Sequence, residues 1–221
     1  MSHSDGRFDE RKGWFSLLHA YAEEFHHLHE QHPDWVSDDP RFTLIGAPES
    51  ALMAGNLNHG FIEKYLADPR WWRDNEPLVG NPRQILRDYR IHSKYSTFVM
   101  FFSYFESEFR RLYRMLFPGA GRNGTAAFRS LYESMLANLG MEQRFADVLS
   151  FATDLRNAMH NNGHFYPKHG GDVTHNFRGE TYSLKYGEPI GFATPLLLHG
   201  IYSDILELSS AIVAHDIIQA I

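Results

Sequence analysis

Apolar side chains recur at helical intervals along most of this chain. Trp14, Leu17, Leu18, Tyr21, Phe25 and Leu28 lie three or four apart or side by side, which predicts a helix over 12–31 that His32-Pro33 ends. The clearest seam is Ile91, Tyr95, Phe98, Phe102, Phe105, Phe109, Leu112 and Leu116. Its alternating steps of four and three predict one long helix over 82–117, stopped by Pro118-Gly119. The aromatic stripe suits the core of a bundle better than an exposed platform for stacking bases. A helix over 125–138 follows, with Thr125 as its N-cap and Gly140 as its stop. The next, over 141–161, carries Phe145, Val148, Ala152, Leu155 and Met159 on one face and ends before Gly163.

Beyond Gly163 the period changes. Tyr182, Leu184 and Tyr186 alternate with Thr181, Ser183 and Lys185, which is strand spacing, and Val173–Phe177 can pair with them through Arg178-Gly179. Thr194-Pro195 then opens a last helix bearing Leu198, Ile201, Ile205, Leu208 and Ile212. Residues 33–80 are weakly patterned and hold Pro33, Pro40, Pro48, Pro69 and Pro77. They read as a loop-rich wrap anchored by Trp35, Trp71 and Trp72, with short helices near 48–54 and 59–67. The expected fold is mostly α. Residues 1–80 form a first helix and wrap within a single domain, and residues 81–221 form an antiparallel bundle with one long central helix and a small β-hairpin insertion near 173–186.

Composition narrows the chemistry. The 221 residues include no cysteine, which removes disulfides, thiolate nucleophiles and Cys-type zinc sites. The polar start Met1–Lys12 is followed by no signal-like apolar stretch, and the apolar C-terminal region is broken by His199, Asp204, Glu207, His215 and Asp216. A soluble cytoplasmic protein with no membrane partner is expected. The net charge of −6 argues against a coat of nucleic acid, but the charge is uneven. Residues 81–122 hold eight basic side chains against three acidic ones, between two acidic flanks. Such a block is either a phosphate-facing surface or a set of arginines that pair with acidic neighbours on folding.

Three clusters could carry chemistry. Gly119 to Gly124 matches the glycine pattern of a dinucleotide loop, yet a helix and not a strand precedes it, so an interhelical loop is expected. His26, His27, His29 and His32 crowd the first helix near Glu23, but neighbours on a helix diverge by about 100°, so a solvated face is expected and no metal or other cofactor. The third cluster is Leu155-Arg156-Asn157-Ala158-Met159-His160-Asn161-Asn162-Gly163. Arg156 and His160 are one turn apart, each beside a core residue, so a guanidinium and an imidazole can share a half-buried position. Such a pair can cleave RNA without metal, His160 moving the proton and Arg156 stabilising charge on the phosphorus oxygens. Alternatively Arg156 pairs with Glu106, which lies beside Phe105 of the central seam, and the cluster is structural.

The string Arg-Asn-x-x-His-Asn-Asn-Gly late in a helical chain resembles the signature of the HEPN superfamily. The family's Arg matches Arg156, its following polar residue Asn157 and its His His160. Three residues separate Arg156 from His160, fewer than the family's usual interval, and His164 is a second candidate for the imidazole. The resemblance implies a helical bundle, a homodimer with two motifs facing one cleft, and metal-independent endoribonuclease activity in toxin–antitoxin or phage-defence systems. RNA or a nucleotide would be the ligand and an antitoxin-type protein a partner. Asn157 would orient the site, while Arg110, Arg114, Asn161 and His164 would contact substrate. The alternative is a non-catalytic HEPN-like binding module, and a weaker third reading is a His-rich metalloprotein.

Overall fold

The computed structural model describes residues 9–75, 81–118 and 127–221. The chain is mostly α, a helical bundle with one small antiparallel hairpin. The helices are α1 (Glu10–Gln31), α2 (Pro40–Phe61), α3 (Pro69–Asp74), α4 (Pro82–Leu116), α5 (Phe128–Asn138), α6 (Gln143–His160), α7 (Pro195–Val213) and α8 (Asp216–Gln219). A π-helical turn, Ile62–Leu66, prolongs α2. The hairpin is β1 (Val173–Phe177) with β2 (Glu180–Leu184), in a register that sets His175 opposite Tyr182.

The seam on α4 organises the core. Phe98, Phe102, Phe105, Phe109 and Leu112 are fully buried, joined by Phe101, and Phe128 of α5 meets Phe102, Phe105 and Phe109 edge-on at 5.5–6.3 Å. The seam begins later than its spacing predicts, because Ile91 is exposed and the first turns of α4 extend past the packed core. That extension is held at its side by Tyr89 Oη donating to Asn58 Oδ1 and by Arg90 paired with Glu63.

Residues 40–61 are not a wrap. They form a 22-residue helix whose packing on α4 is the most extensive between any two elements described. Pro40 occupies the first turn, where a missing N–H costs nothing, and the Asp39 carboxylate caps the Arg41 N–H. Pro48 lies inside the helix and is buried. Its interior position costs roughly 3 kcal/mol. Phe42, Leu44, Ile45 and Leu52 are fully buried around it, each contributing about 1.5–3 kcal/mol, so packing overrides the helix breaker. Of the three anchoring tryptophans, Trp35 packs on the core and Trp72 donates to the Leu66 carbonyl at 2.7 Å.

Gly55 allows this close approach. A Cβ there would lie 2.5 Å from Thr97 Cγ2 of α4 and 3.1 Å from the Trp14 ring. Gly55→Ala is therefore expected to destabilise the chain by about 1–2 kcal/mol, overpacking outweighing the gain in helix propensity. A lowered urea midpoint at constant slope would register it.

The remaining elements follow their local signals. Arg178 and Gly179 take φ values of 49° and 82°, the left-handed pair that a two-residue hairpin turn requires. Thr194 Oγ1 accepts from the Leu197 N–H at the start of α7. Helix α7 is long and apolar enough by composition to cross a membrane, yet here it packs among α1, α2 and α6 with Ile201, Ile205, Leu208 and Ile212 fully buried. The Thr125 cap and the Gly119–Gly124 loop lie outside the described residues.

Candidate functional site

The motif lies where α6 ends against the middle of α4. Leu155 and Met159 anchor that end in the core, which places Arg156 at the edge of the buried face. Arg156 Nη2 donates to Glu106 Oε2 at 2.7 Å. The other carboxylate oxygen of Glu106 accepts from Arg110 Nη2 at 2.6 Å and from its Nε at 3.0 Å. One carboxylate thus joins two guanidinia, each oxygen engaged by a different arginine. The Arg156 and Glu106 side chains are 21% and 16% exposed, so the bridge is largely withdrawn from solvent. Aromatic rings back both cations: Arg156 lies 5.6 Å from the Phe102 centroid and Arg110 5.6 Å from that of Phe128. Arg156 Nε is buried with no hydrogen-bond partner among the described residues.

The other motif residues do not join this bridge. Asn157, His160, Asn161 and Arg114 are exposed. The Asn-Asn-Gly run stops the helix. Asn161 Nδ2 donates to the Asn157 carbonyl at 3.0 Å, and Asn162 and Gly163 take φ values of 54° and 83°. His164 lies past this stop, bridged to Pro189 through the backbone and stacked at 6.4 Å on Tyr166. The structure therefore brings together Arg156, Glu106 and Arg110, and leaves the two candidate imidazoles in different settings outside that bridge.

About half of the basic block is ion-paired, Arg87, Arg90, Arg110 and Arg111 each with an acidic neighbour. Arg111 pairs with Glu108 at 2.6 Å and Arg90 with Glu63 at 2.5 Å, while Arg114 faces solvent. The histidines of α1 are not one solvated face. His29 stacks on Phe42 at 4.1 Å and His32 on Trp35 at 3.9 Å, while His26 pairs with Glu30. Among the described residues no three His, Asp or Glu side chains gather as a metal site.

Two sites lie beyond the motif. A polar cleft of about 510 Å³ between α5, α6 and β1 is lined by Arg129, Ser150 and His175 among others. There His175 Nε2 lies 2.9 Å from Asp154 Oδ2, with its ring stacked on Phe151. A larger groove of about 1290 Å³ runs between α1, the end of α2, α4 and the start of α7. Neither shows in a single stretch of sequence, because the lining of each comes as short runs from elements far apart along the chain. No family model, curated protein or solved structure matches this chain.

Proposed function

We propose that this chain is a HEPN-like helical binding module that does not cleave RNA. One observation carries the reading: the guanidinium that would stabilise a phosphorane is held by Glu106 inside the bundle, and that carboxylate already balances Arg110. A substrate phosphate would have to compete with a largely desolvated carboxylate for Arg156. His160, at the exposed helix end, takes no part in that bridge. A second reading, a metal-independent endoribonuclease acting as a homodimer, draws on a different observation. Asn157, His160 and Asn161 are all exposed at the end of α6, where a second copy could complete a cleft. An RNA or an antitoxin-type protein would then be the partner.

Incubation of the purified chain with RNA in EDTA separates the two. The expected result is intact RNA, with Arg156→Ala and His160→Ala indistinguishable from the parent chain. Cleavage by the parent chain that both substitutions abolish would establish the nuclease instead.

A further inference from the structure

The groove between α1, α2, α4 and α7 differs from the rest of the surface in two respects. The first is its rim. Phe15, Leu57, Phe61 and Tyr65 line it and are each more than two-fifths exposed, a concentration of large apolar side chains left facing water. Trp14, Leu17, Leu198 and Tyr202 supply apolar wall within the groove.

The second is its charge. Four cations line it (Arg11, Lys64, Arg90 and Lys94) against three carboxylates (Asp9, Glu10 and Glu63). Arg90 is paired with Glu63, Glu10 lies 3.6 Å from His59, and Asp9 caps α1 through the Lys12 N–H. Arg11 and Lys64 are exposed and solvated. Lys94 is different. It is half-buried, its ammonium donates to the neutral Ala193 carbonyl at 2.5 Å, and no described carboxylate stands within ion-pair distance of it. Burial holds its pKa below the usual lysine range, with Glu10 only partly opposing. A partly desolvated cation with no anionic partner, set in a groove with apolar walls, is a typical anchor for a ligand's charge.

We propose that this groove binds an apolar monocarboxylate, its carboxylate seated on the Lys94 ammonium and its body lying along Trp14, Leu17, Leu198 and Tyr202. The assignment rests on reading the chain as a binding module and names the class of molecule it binds. The single excess cation matches a single negative charge, whereas Asp9, Glu10 and Glu63 repel a polyanion such as a nucleotide or RNA. The exposed aromatic and aliphatic rim matches an apolar body rather than a sugar or polar peptide.

Calorimetric titration of the full chain with decanoate and with 1-decanol tests this. Decanoate is expected to bind one per chain and about tenfold or more tighter than the alcohol, the worth of one charge-assisted contact. Lys94→Met should reduce decanoate to the affinity of the alcohol, and Lys94→Arg should restore most of it. A footprint on the unmutated chain removes any dependence on how well the variants fold. Decanoate should protect Lys94 from acetylation by acetic anhydride while leaving the exposed Lys12 and Lys185 unchanged. Absent binding, equal binding of acid and alcohol, or binding without protection of Lys94 would each overturn the proposal. The RNA assay is independent of these readouts: intact RNA with no decanoate binding removes the ligand class and leaves the module, whereas cleavage removes the module itself.

Discussion

Asp39→Ala is expected to cost about 3–5 kcal/mol, because it breaks a buried ion pair. Asp39 and Arg41 are both almost fully buried. Arg41 donates Nε to Oδ1 at 2.9 Å and Nη2 to Oδ2 at 2.7 Å, a two-pronged grip, and its Nη1 reaches the Ile218 carbonyl of α8 at 3.3 Å. The guanidinium lies 3.8 Å from the Trp35 ring centroid, and the His32 ring stacks on the same tryptophan at 3.9 Å. Asp39 also caps α2, so one carboxylate fixes a helix start, a buried cation and the link to the last helix. Alanine would leave Arg41 charged and buried with only a carbonyl to bond, and would remove the cap. Asp39→Asn keeps an acceptor at the cap and should cost less, so urea denaturation of both variants separates charge from capping.

The same carboxylate confers a pH dependence of known sign. Burial pushes the Asp39 pKa up, but hydrogen bonds and charge from Arg41, with Arg111 beyond, hold it below the ordinary value of 3.8. A carboxyl whose pKa is depressed on folding contributes stability that is fully present above its unfolded value and is lost as pH falls through its folded value. The chain should therefore lose stability below about pH 4. Asp39→Asn should lose less over the same interval, and equal losses would mean that Asp39 is not responsible.

Several elements are legible in the sequence because a local rule and the tertiary fold agree there. The α4 seam, the Arg178-Gly179 turn and the Thr194-Pro195 start each satisfy a short-range requirement, and the packed elements they belong to agree with it. Helix α2 is hidden because its buried face sets Pro40, Pro48 and Gly55, residue types that signal helix ends, among Phe42, Leu44, Ile45, Ala51 and Leu52. Glycine is there to let α4 approach, and proline is carried by the packing around it, so the information resides in the neighbouring helix. Ile91 shows the opposite limit. It continues the seam in spacing, but it is left exposed along the groove between α1, α2, α4 and α7.

The candidate site divides along the same line. Glu106 and Arg156 each adjoin a core residue on helices that must pack, so their meeting follows from periodicity, and Arg110 joins by lying one turn after Glu106. The Lys94 groove needs residues from α1, α2, α4 and α7 at once, and no spacing within any one helix announces it.

Glu106→Ala is the second large effect expected, about 2–4 kcal/mol, because it removes the one carboxylate that two largely desolvated guanidinia share. Arg156→Met should cost only about 1 kcal/mol, since Arg110 continues to balance Glu106 and a thioether packs well against Phe102. That ordering separates the structural role from the catalytic one. If Arg156 serves the fold, the two substitutions rank in stability as stated and neither changes what the chain does to RNA. If Arg156 serves catalysis, Arg156→Met abolishes cleavage while barely moving the urea midpoint. Glu106→Ala, by releasing the guanidinium toward a phosphate, would then raise the cleavage rate of whatever fraction stays folded. Urea midpoints and RNA cleavage measured on the same two variants therefore decide between a bridge that holds α6 on α4 and a site that acts on phosphate, and the desolvation of Glu106 favours the bridge.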